Sequence, residues 1–331
     1  MDMMKNWLLA ALSATLATGA AAQDKVVFAT NWLAQGGHGG FYQALADGTY
    51  EEFGLDVEIQ QGGPQVNNRP MLAAGRIDFL LTGNLLLSFD NVRNGIPTVV
   101  VAAYYEKDPQ VLIAHEGQYE GWDDLASAPE VLIGKDGQFS FWQWMTASQG
   151  FSDEQLRPYG YNLAGFLNDE KMVQQGYATS EPLYAAKQGA PVDTFLLADQ
   201  GWSTYASTIE ARVEMVEDNP DLVQRFIDAS TIGWYNYLYN DPSLGNAAIM
   251  EANPEMTAEG LAAEVEQLLA LGIIGSGLQS ELGIGAIDLD RVQAFYDTVV
   301  DAGILEEGSV DLSKVATDQF VNHKVGMDLL K

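Results

Sequence analysis

Between residues 25 and 105 the chain alternates strand-like and helix-like segments with short connections, and nothing else in it limits the fold as strongly. "KVVFAT" (25–30) is a β-type run, and "LDVEIQ" (55–60) alternates apolar and polar residues with period two. "RIDFLLTG" (76–83) reads as a short buried strand stopping at Thr82-Gly83, and "TVVVAAYY" (98–105) is strongly β. Helices are expected at 40–48, with Phe41, Leu45 and Gly48 on one side, at 65–75 and at 84–94; Gly75 and Gly95 end the last two. Strand, helix, strand, helix, strand in that order predicts a parallel α/β sheet.

A second set follows. Strands are expected at 111–116, 130–137 and 194–199, and a strand running into a loop at 176–182. Helices are expected at 121–127, at 138–150 (ended by Gly150) and at 168–175. Beyond about residue 205 the pattern turns mostly helical: Asn219-Pro220 opens one helix, Thr257 caps a second, and "DLDRVQAFYDTVVDAGIL" is a third. The organisation is therefore two α/β lobes around a central cleft: 23–105 begins lobe 1, 106–203 is lobe 2, and 204–331 returns to lobe 1 with C-terminal helices packing back on it. Residues 104–108 and 200–208 are the expected hinges. Ligands of such sheets bind beyond the carboxyl ends of the strands.

Residues 1–22 read as a cleavable export signal: Lys5 gives the positive start, Trp7 to Ala17 the short apolar run, and Ala20-Ala21-Ala22 the cleavage site. The apolar run is too short to span a bilayer. There is no cysteine, which excludes a lipid-modified N-terminal Cys, a disulfide and a thiolate metal site. A soluble periplasmic protein is expected. The net charge of -30 repels phosphate backbones, so nucleic acid is not an expected partner.

"NWLAQGGHGGFY" (31–42) is the most unusual stretch. Four glycines in the five positions 36–40 make a poor helix and a poor strand, so a loose loop presenting Trp32, His38 and Tyr42 is expected. With "GLDVEI" (54–59) and "AAGRIDF" (73–79) it resembles the solute-binding proteins of ABC importers of the nitrate/sulfonate/taurine type. Within them it is most similar to the branch that binds the pyrimidine precursor of thiamine, in which Asp/Asn-Trp is followed by a His and then a Gly-x-Tyr helix start; "ATSEP" (178–182) resembles that family's second-lobe loop. The resemblance covers essentially the whole mature chain and implies a type II periplasmic-binding-protein fold. It also implies a small-molecule ligand, an ABC permease with its ATPase as partner, and a monomer. The chain departs from the pattern in the glycine-rich run after Trp32, in Gly48-Thr49-Tyr50, and in the second-lobe turn "GKDGQFSFW" (134–142).

Each candidate ligand contact has a packing alternative. Trp32 can stack on a flat ring or pack in the core. His38 can hydrogen-bond a heteroatom or simply complete a turn, and Tyr42 can offer ring and hydroxyl or pack beneath its helix. Thr82 and Asn84 end a strand where a helix begins; Asn84 can touch ligand or only cap the helix. One of Phe139, Phe141 and Trp142 can close on the ring from lobe 2, and Phe139 and Trp142 are retained as candidates. Glu181 can accept from an amino-bearing heterocycle or face solvent. No Arg lies in these loops, Arg69, Arg76 and Lys135 being the nearest basic residues, which weighs against an inorganic anion.

The expected function is capture of a small, flat, nitrogen-containing ligand by lobe closure and delivery to the permease, without catalytic residues, metal or cofactor. An organic sulfonate or aromatic acid is the alternative ligand. Pyrimidine synthases of the yeast type have a similar Trp/His segment, but they use a cysteine-rich motif that this chain lacks. The histidines, His38, His115 and His323, have no G-x-S-x-G companion.

Overall fold

A computed structural model describes residues 22–63, 66–160 and 162–330. The expected signal segment, except its last residue, lies outside them. The chain forms two five-stranded sheets. The first contains β1 (Asp24–Ala29), β2 (Leu55–Gln60), β3 (Phe79–Asn84), β4 (Thr98–Tyr105) and β10 (Ala206–Arg212), in the order β2-β1-β3-β10-β4. The second contains β5 (Gln110–His115), β6 (Val131–Ile133), β7 (Leu156–Pro158), β8 (Val173–Tyr177) and β9 (Val192–Leu196), in the order β7-β6-β8-β5-β9. Helices cover both, so the α/β two-lobed class is as expected.

The first sheet is mixed rather than parallel. β1 runs parallel to β2 and β3, but β10 inserts antiparallel between β3 and β4. The strand β10 lies in the stretch read as mostly helical. "ASTIEAR" is too mixed in composition to stand out as a strand, and its neighbours on both sides supply the ladder that stabilises it.

Other boundaries differ from the expected ones. The helix expected at 65–75 is confined to Arg69–Ala73. Residues 168–175 are not a helix: the helix Ala164–Asn168 ends there and β8 begins at Val173. Glu181 is not in a loop but opens the helix Glu181–Lys187. The helix in the region 138–150 is Phe141–Ser148, preceded by a single turn at Lys135–Gln138.

The glycine run is also not a loop. Gly36–His38 is a 3-10 turn that continues into the α-helix Gly39–Ala46. The reason lies in a distant segment. The helix Pro220–Tyr239 presses so closely that side chains at Gly39 and Gly40 would collide with the rings of Tyr237 and Trp234. A side chain at Gly233 would in turn come within 2.6 Å of the Ala44 Cβ. The helix cost of glycine, about 1 kcal/mol each relative to Ala, is offset by this close packing.

The C-terminal part packs back on lobe 1. Gly285 accepts from the Ala103 N–H at 3.0 Å, and Val315 accepts from that of Val100 at 2.9 Å, so residues beyond 280 bond strand β4.

Two segments cross between the sheets, 106–109 and 197–205, and they are tied together. The Trp202 indole donates to Asp108 at 2.9 Å, and Asp108 also accepts from the Gln110 N–H at 3.0 Å. Arg291, from the helix Leu289–Asp301, pairs with Glu106 at 2.8 Å on one crossing and donates to the Ser203 and Thr204 carbonyls on the other. Its guanidinium lies 4.0 Å over the Tyr205 ring. One side chain therefore braces both crossings.

Candidate functional site

The site builds outward from the end of β1. The Thr30 hydroxyl donates to the Trp32 carbonyl at 2.7 Å, and the Gly62 N–H donates to the same carbonyl at 3.2 Å. Asn68 donates to the Thr30 carbonyl at 3.0 Å. These bonds fix a sharp exit from the strand and leave Trp32 half-buried. Asn31 turns toward the 3-10 segment, its Oδ1 lying 3.4 Å from the His38 Nε2.

The 3-10 segment is held from two sides. The Tyr105 hydroxyl donates to the Gly37 carbonyl at 2.8 Å. The Gly36 N–H donates to the Glu264 carboxylate at 2.7 Å. Glu264 belongs to the helix Ala258–Ala270, whose N-terminus is capped by Thr257 accepting from the Gly260 N–H. The same carboxylate accepts from the hydroxyl of Tyr184, in lobe 2, at 3.0 Å. Burial pushes the Glu264 carboxyl up to about 7, against the hydrogen bonds from Tyr184 and Gly36 that oppose the shift.

His38 and Tyr42 lie four residues apart, on one face of this helical segment. His38 is buried, and burial lowers its pKa to about 4, partly opposed by the Leu33 backbone. It is therefore neutral at pH 7. Its Nδ1 has no hydrogen bond of normal geometry, and neither does the buried Tyr42 hydroxyl. Burial raises the Tyr42 pKa to about 12. Two orphaned polar atoms on one face, one ring nitrogen and one hydroxyl, are the kind of groups a ligand could satisfy.

Lobe 2 brings Glu181. Its Oε2 accepts from the Tyr177 N–H at 2.7 Å and the Ser180 hydroxyl at 2.6 Å, and its Oε1 from the Tyr159 hydroxyl at 3.2 Å. The carboxylate is thus oriented by its own lobe, at a helix N-terminus. It lies near enough to Glu264 to raise that group's pKa.

Other expected site residues are placed differently. The Thr82 hydroxyl is engaged by Thr208 across the β3–β10 pair, at 2.6 Å. Asn84 caps the helix Leu85–Arg93, its side chain accepting from the Leu86 N–H at 3.1 Å. Trp142 is 2% exposed in the lobe 2 core, packs edge-on against Phe151, and donates to Asp153 at 2.8 Å. Phe141 is buried as well, whereas Phe139 is 59% exposed. Of the three aromatic candidates after β6, Phe139 alone is not built into the core.

Glu264, Tyr184 and Tyr105 were missed by sequence reasoning. Glu264 looks like any acidic position of an amphipathic helix, and no local motif connects Tyr184 to it. A surface hollow of about 340 Å³ is lined by Leu278, Leu282, Leu289 and neighbouring acidic residues, and none of the candidate residues lines it. Among the described residues no group of three or more His, Cys, Asp or Glu is placed to hold a metal ion, and no helix is long and apolar enough to cross a membrane.

Residues 35–244 match the model of a family described as "NMT1/THI5 like", a span that begins one residue before the 3-10 turn and ends beyond the helix packed on it. The chain belongs to the NMT1/THI5-like family. Among characterised relatives, this NMT1/THI5-like chain is 28% identical to the riboflavin-binding protein RibY of Chloroflexus aurantiacus over 159 residues. That match covers 48% of the chain and 44% of RibY. Solved structures share the fold. The alkanesulfonate-binding protein SsuA of Xanthomonas axonopodis pv. citri, bound to MOPS, aligns with a TM-score of 0.63 at 11% identity, covering 90% of this chain and 99% of that one. The periplasmic nitrate-binding protein NrtA of Synechocystis PCC 6803 aligns at 0.61 and 14% identity, covering 90% and 87%. The desulfurization enzyme DSZB aligns at 0.57 and 12% identity, covering 90% and 97%. The resemblance to nitrate- and sulfonate-binding proteins thus extends to the fold, and this NMT1/THI5-like chain has the periplasmic-binding-protein architecture.

Proposed function

We propose that this NMT1/THI5-like protein is the solute-binding component of an ABC importer, working in the periplasm. It captures a small, flat, nitrogen-containing ring between its lobes and delivers it to the permease and its ATPase. The observation that carries this reading is the pair of orphaned polar atoms, His38 Nδ1 and Tyr42 Oη, on the segment that Tyr184 and Glu264 tie to lobe 2. Trp32 supplies the plate on which the ring stacks. Neutral His38 and the Tyr42 hydroxyl bond its edge, and Glu181 accepts from its N–H groups. Phe139 is the aromatic available from lobe 2.

The ring is of the thiamine-precursor pyrimidine or flavin class. The family match and the RibY relative both support a heterocycle. A sulfonate is less well served. Arg69, Arg157, Arg212, Arg225 and Arg291 are bonded to backbone carbonyls, Asn91 or carboxylates elsewhere in the fold. Catalysis is also poorly supported. Each histidine's Nε2 lies near an amide oxygen, that of Asn31, Phe166 or Gln319, rather than a nucleophile.

A thermal-shift panel of aminopyrimidines, riboflavin, aromatic acids and alkanesulfonates tests the reading, because binding to the folded state alone raises Tm by mass action. A rise with a heterocycle that is recovered unchanged supports it. A rise with sulfonates alone, or chemical conversion of the heterocycle, contradicts it.

A further inference from the structure

We propose that Glu264 is a positioning residue that couples closure of the lobes to the shape of the ligand-facing segment Gly36–His38. The inference rests on the binding-protein reading above and adds a residue that makes closure and site assembly one event.

The geometry is a three-member relay. Tyr184, on the lobe 2 helix Glu181–Lys187, donates to Glu264 Oε1 at 3.0 Å. Glu264 Oε2 accepts from the Gly36 N–H at 2.7 Å. Two residues further on is His38. The relay has no slack: a side chain at Gly36 would fall 2.7 Å from the Glu264 Oε2 and 2.9 Å from its Cβ. The far side of the segment is closed by the Tyr105 hydroxyl, which would lie 2.8 Å from a Cβ at Gly37. Tyr105 ends β4, where the chain crosses to lobe 2. The segment is therefore clamped between the start of a crossing and a carboxylate that lobe 2 touches. Opening the lobes removes Tyr184, admits water to Glu264, and frees the carboxylate to release Gly36.

Burial, with Glu181 adding to it, makes the Glu264 charge costly when the lobes are shut, and the hydrogen bonds from Tyr184 and Gly36 offset only part of that cost. Tyr184 and Glu181 approach from the lobe 2 helix, Tyr105 from β4, and Tyr237 from the helix Pro220–Tyr239. Lys187, at the end of the same lobe 2 helix, brings a cation to the start of the Glu264 helix: its Nζ would lie 4.0 Å from a Cβ at Gly260. With burial dominant, the closed form takes up a proton that the open form does not need, so closing is favoured at acid pH and weakened as pH rises through neutrality.

The chain has no cysteine, so a labelled pair is clean to build. Glu58→Cys on β2 and Asp123→Cys in lobe 2, both exposed, carry spin labels whose separation is measured by pulsed electron spin resonance without ligand. The parent pair is expected to shift toward longer distances between pH 5.5 and pH 8.5. Glu264→Gln, which copies the protonated carboxyl, is expected to keep the short distances at both values. Tyr184→Phe is expected to lower the closed-to-open ratio about fivefold, the factor given by losing one hydrogen bond of ordinary strength. The same distances at both pH values in the parent, or an unchanged pH response in Glu264→Gln, overturns the proposal. So does an unchanged ratio in Tyr184→Phe, which keeps the test decisive if Glu264→Gln does not fold. No ligand is present, so failure here is distinct from failure of the heterocycle reading.

Discussion

The Tyr184 hydroxyl donates to the Glu264 carboxylate at 3.0 Å, joining a helix of lobe 2 to a helix of the chain's return to lobe 1. They are 80 residues apart in sequence, and the bond links the two lobes. It sets the expectation that affinity here depends on groups that never touch the ligand.

The glycine packing gives a sharp stability test. Gly40→Ala and Gly233→Ala each place a methyl where another helix already sits, and overpacking of this kind costs about 1–3 kcal/mol. Gly83→Ala is the control: nothing lies within 4 Å of a Cβ there, and its backbone is not left-handed. Urea melts are expected to show a lower midpoint for the first two and a nearly unchanged one for the third.

Trp32→Ala and Trp142→Ala separate ligand contact from core. Trp32→Ala is expected to weaken heterocycle binding more than tenfold with the melting temperature nearly unchanged. Trp142→Ala removes a buried ring and strands Asp153, so about 3–5 kcal/mol of stability is lost. Glu181→Gln is expected to weaken binding as well. Its amide cannot accept from Tyr177, Ser180 and Tyr159 as the carboxylate does, so a modest drop in Tm accompanies it.

Arg291 is expected to matter for rigidity of the crossings. Arg291→Ala leaves the half-buried Glu106 carboxylate without its cation and the Ser203 and Thr204 carbonyls without their donor, which is expected to cost about 1–3 kcal/mol. Arg291→Lys restores the charge but cannot reach Glu106 and the Ser203 and Thr204 carbonyls together, so thermal melts should show partial recovery only.

The pH dependence of stability combines contributions of opposite sign. His38 has a lowered pKa, near 4 against 6.5. Its contribution is complete above 6.5 and is lost as pH falls through about 4, a change on the order of 3 kcal/mol. Asp108 and Glu264 are raised by burial to about 7, so their contribution is present at low pH and lost as pH rises through about 7. Between about pH 4.5 and 6.5 the two raised carboxyls outweigh the one lowered imidazole, so urea midpoints should fall as pH rises toward 7. His38→Gln should steepen that fall, and Asp108→Asn should flatten it.

Much of the architecture was legible in local pattern. The strands at 55–60 and 98–105, the caps at Asn84 and Thr257, and the two-lobed class all follow from periodicity and turn chemistry. What was not legible depends on distant partners. The Gly36–Gly40 run reads as a loop because glycine alone disfavours a helix; only Trp234 and Tyr237, about 200 residues away, make it one. The strand β10 exists because β3 and β4 flank it. Trp142 looked as available as Phe139, and only the Asp153 partner and the Phe151 ring assign it to the core. Glu264 has no sequence signal, since its role is set by Gly36 and Tyr184 together.

The most direct test of the central claim is calorimetric titration of riboflavin and of an aminopyrimidine into the wild-type chain and into Trp32→Ala. The account predicts saturable binding of at least one of these rings at one site per chain, weakened more than tenfold by Trp32→Ala, with the ring recovered unchanged. Equal affinity in the two proteins, or no binding of either ring beside saturable binding of an alkanesulfonate, would contradict it.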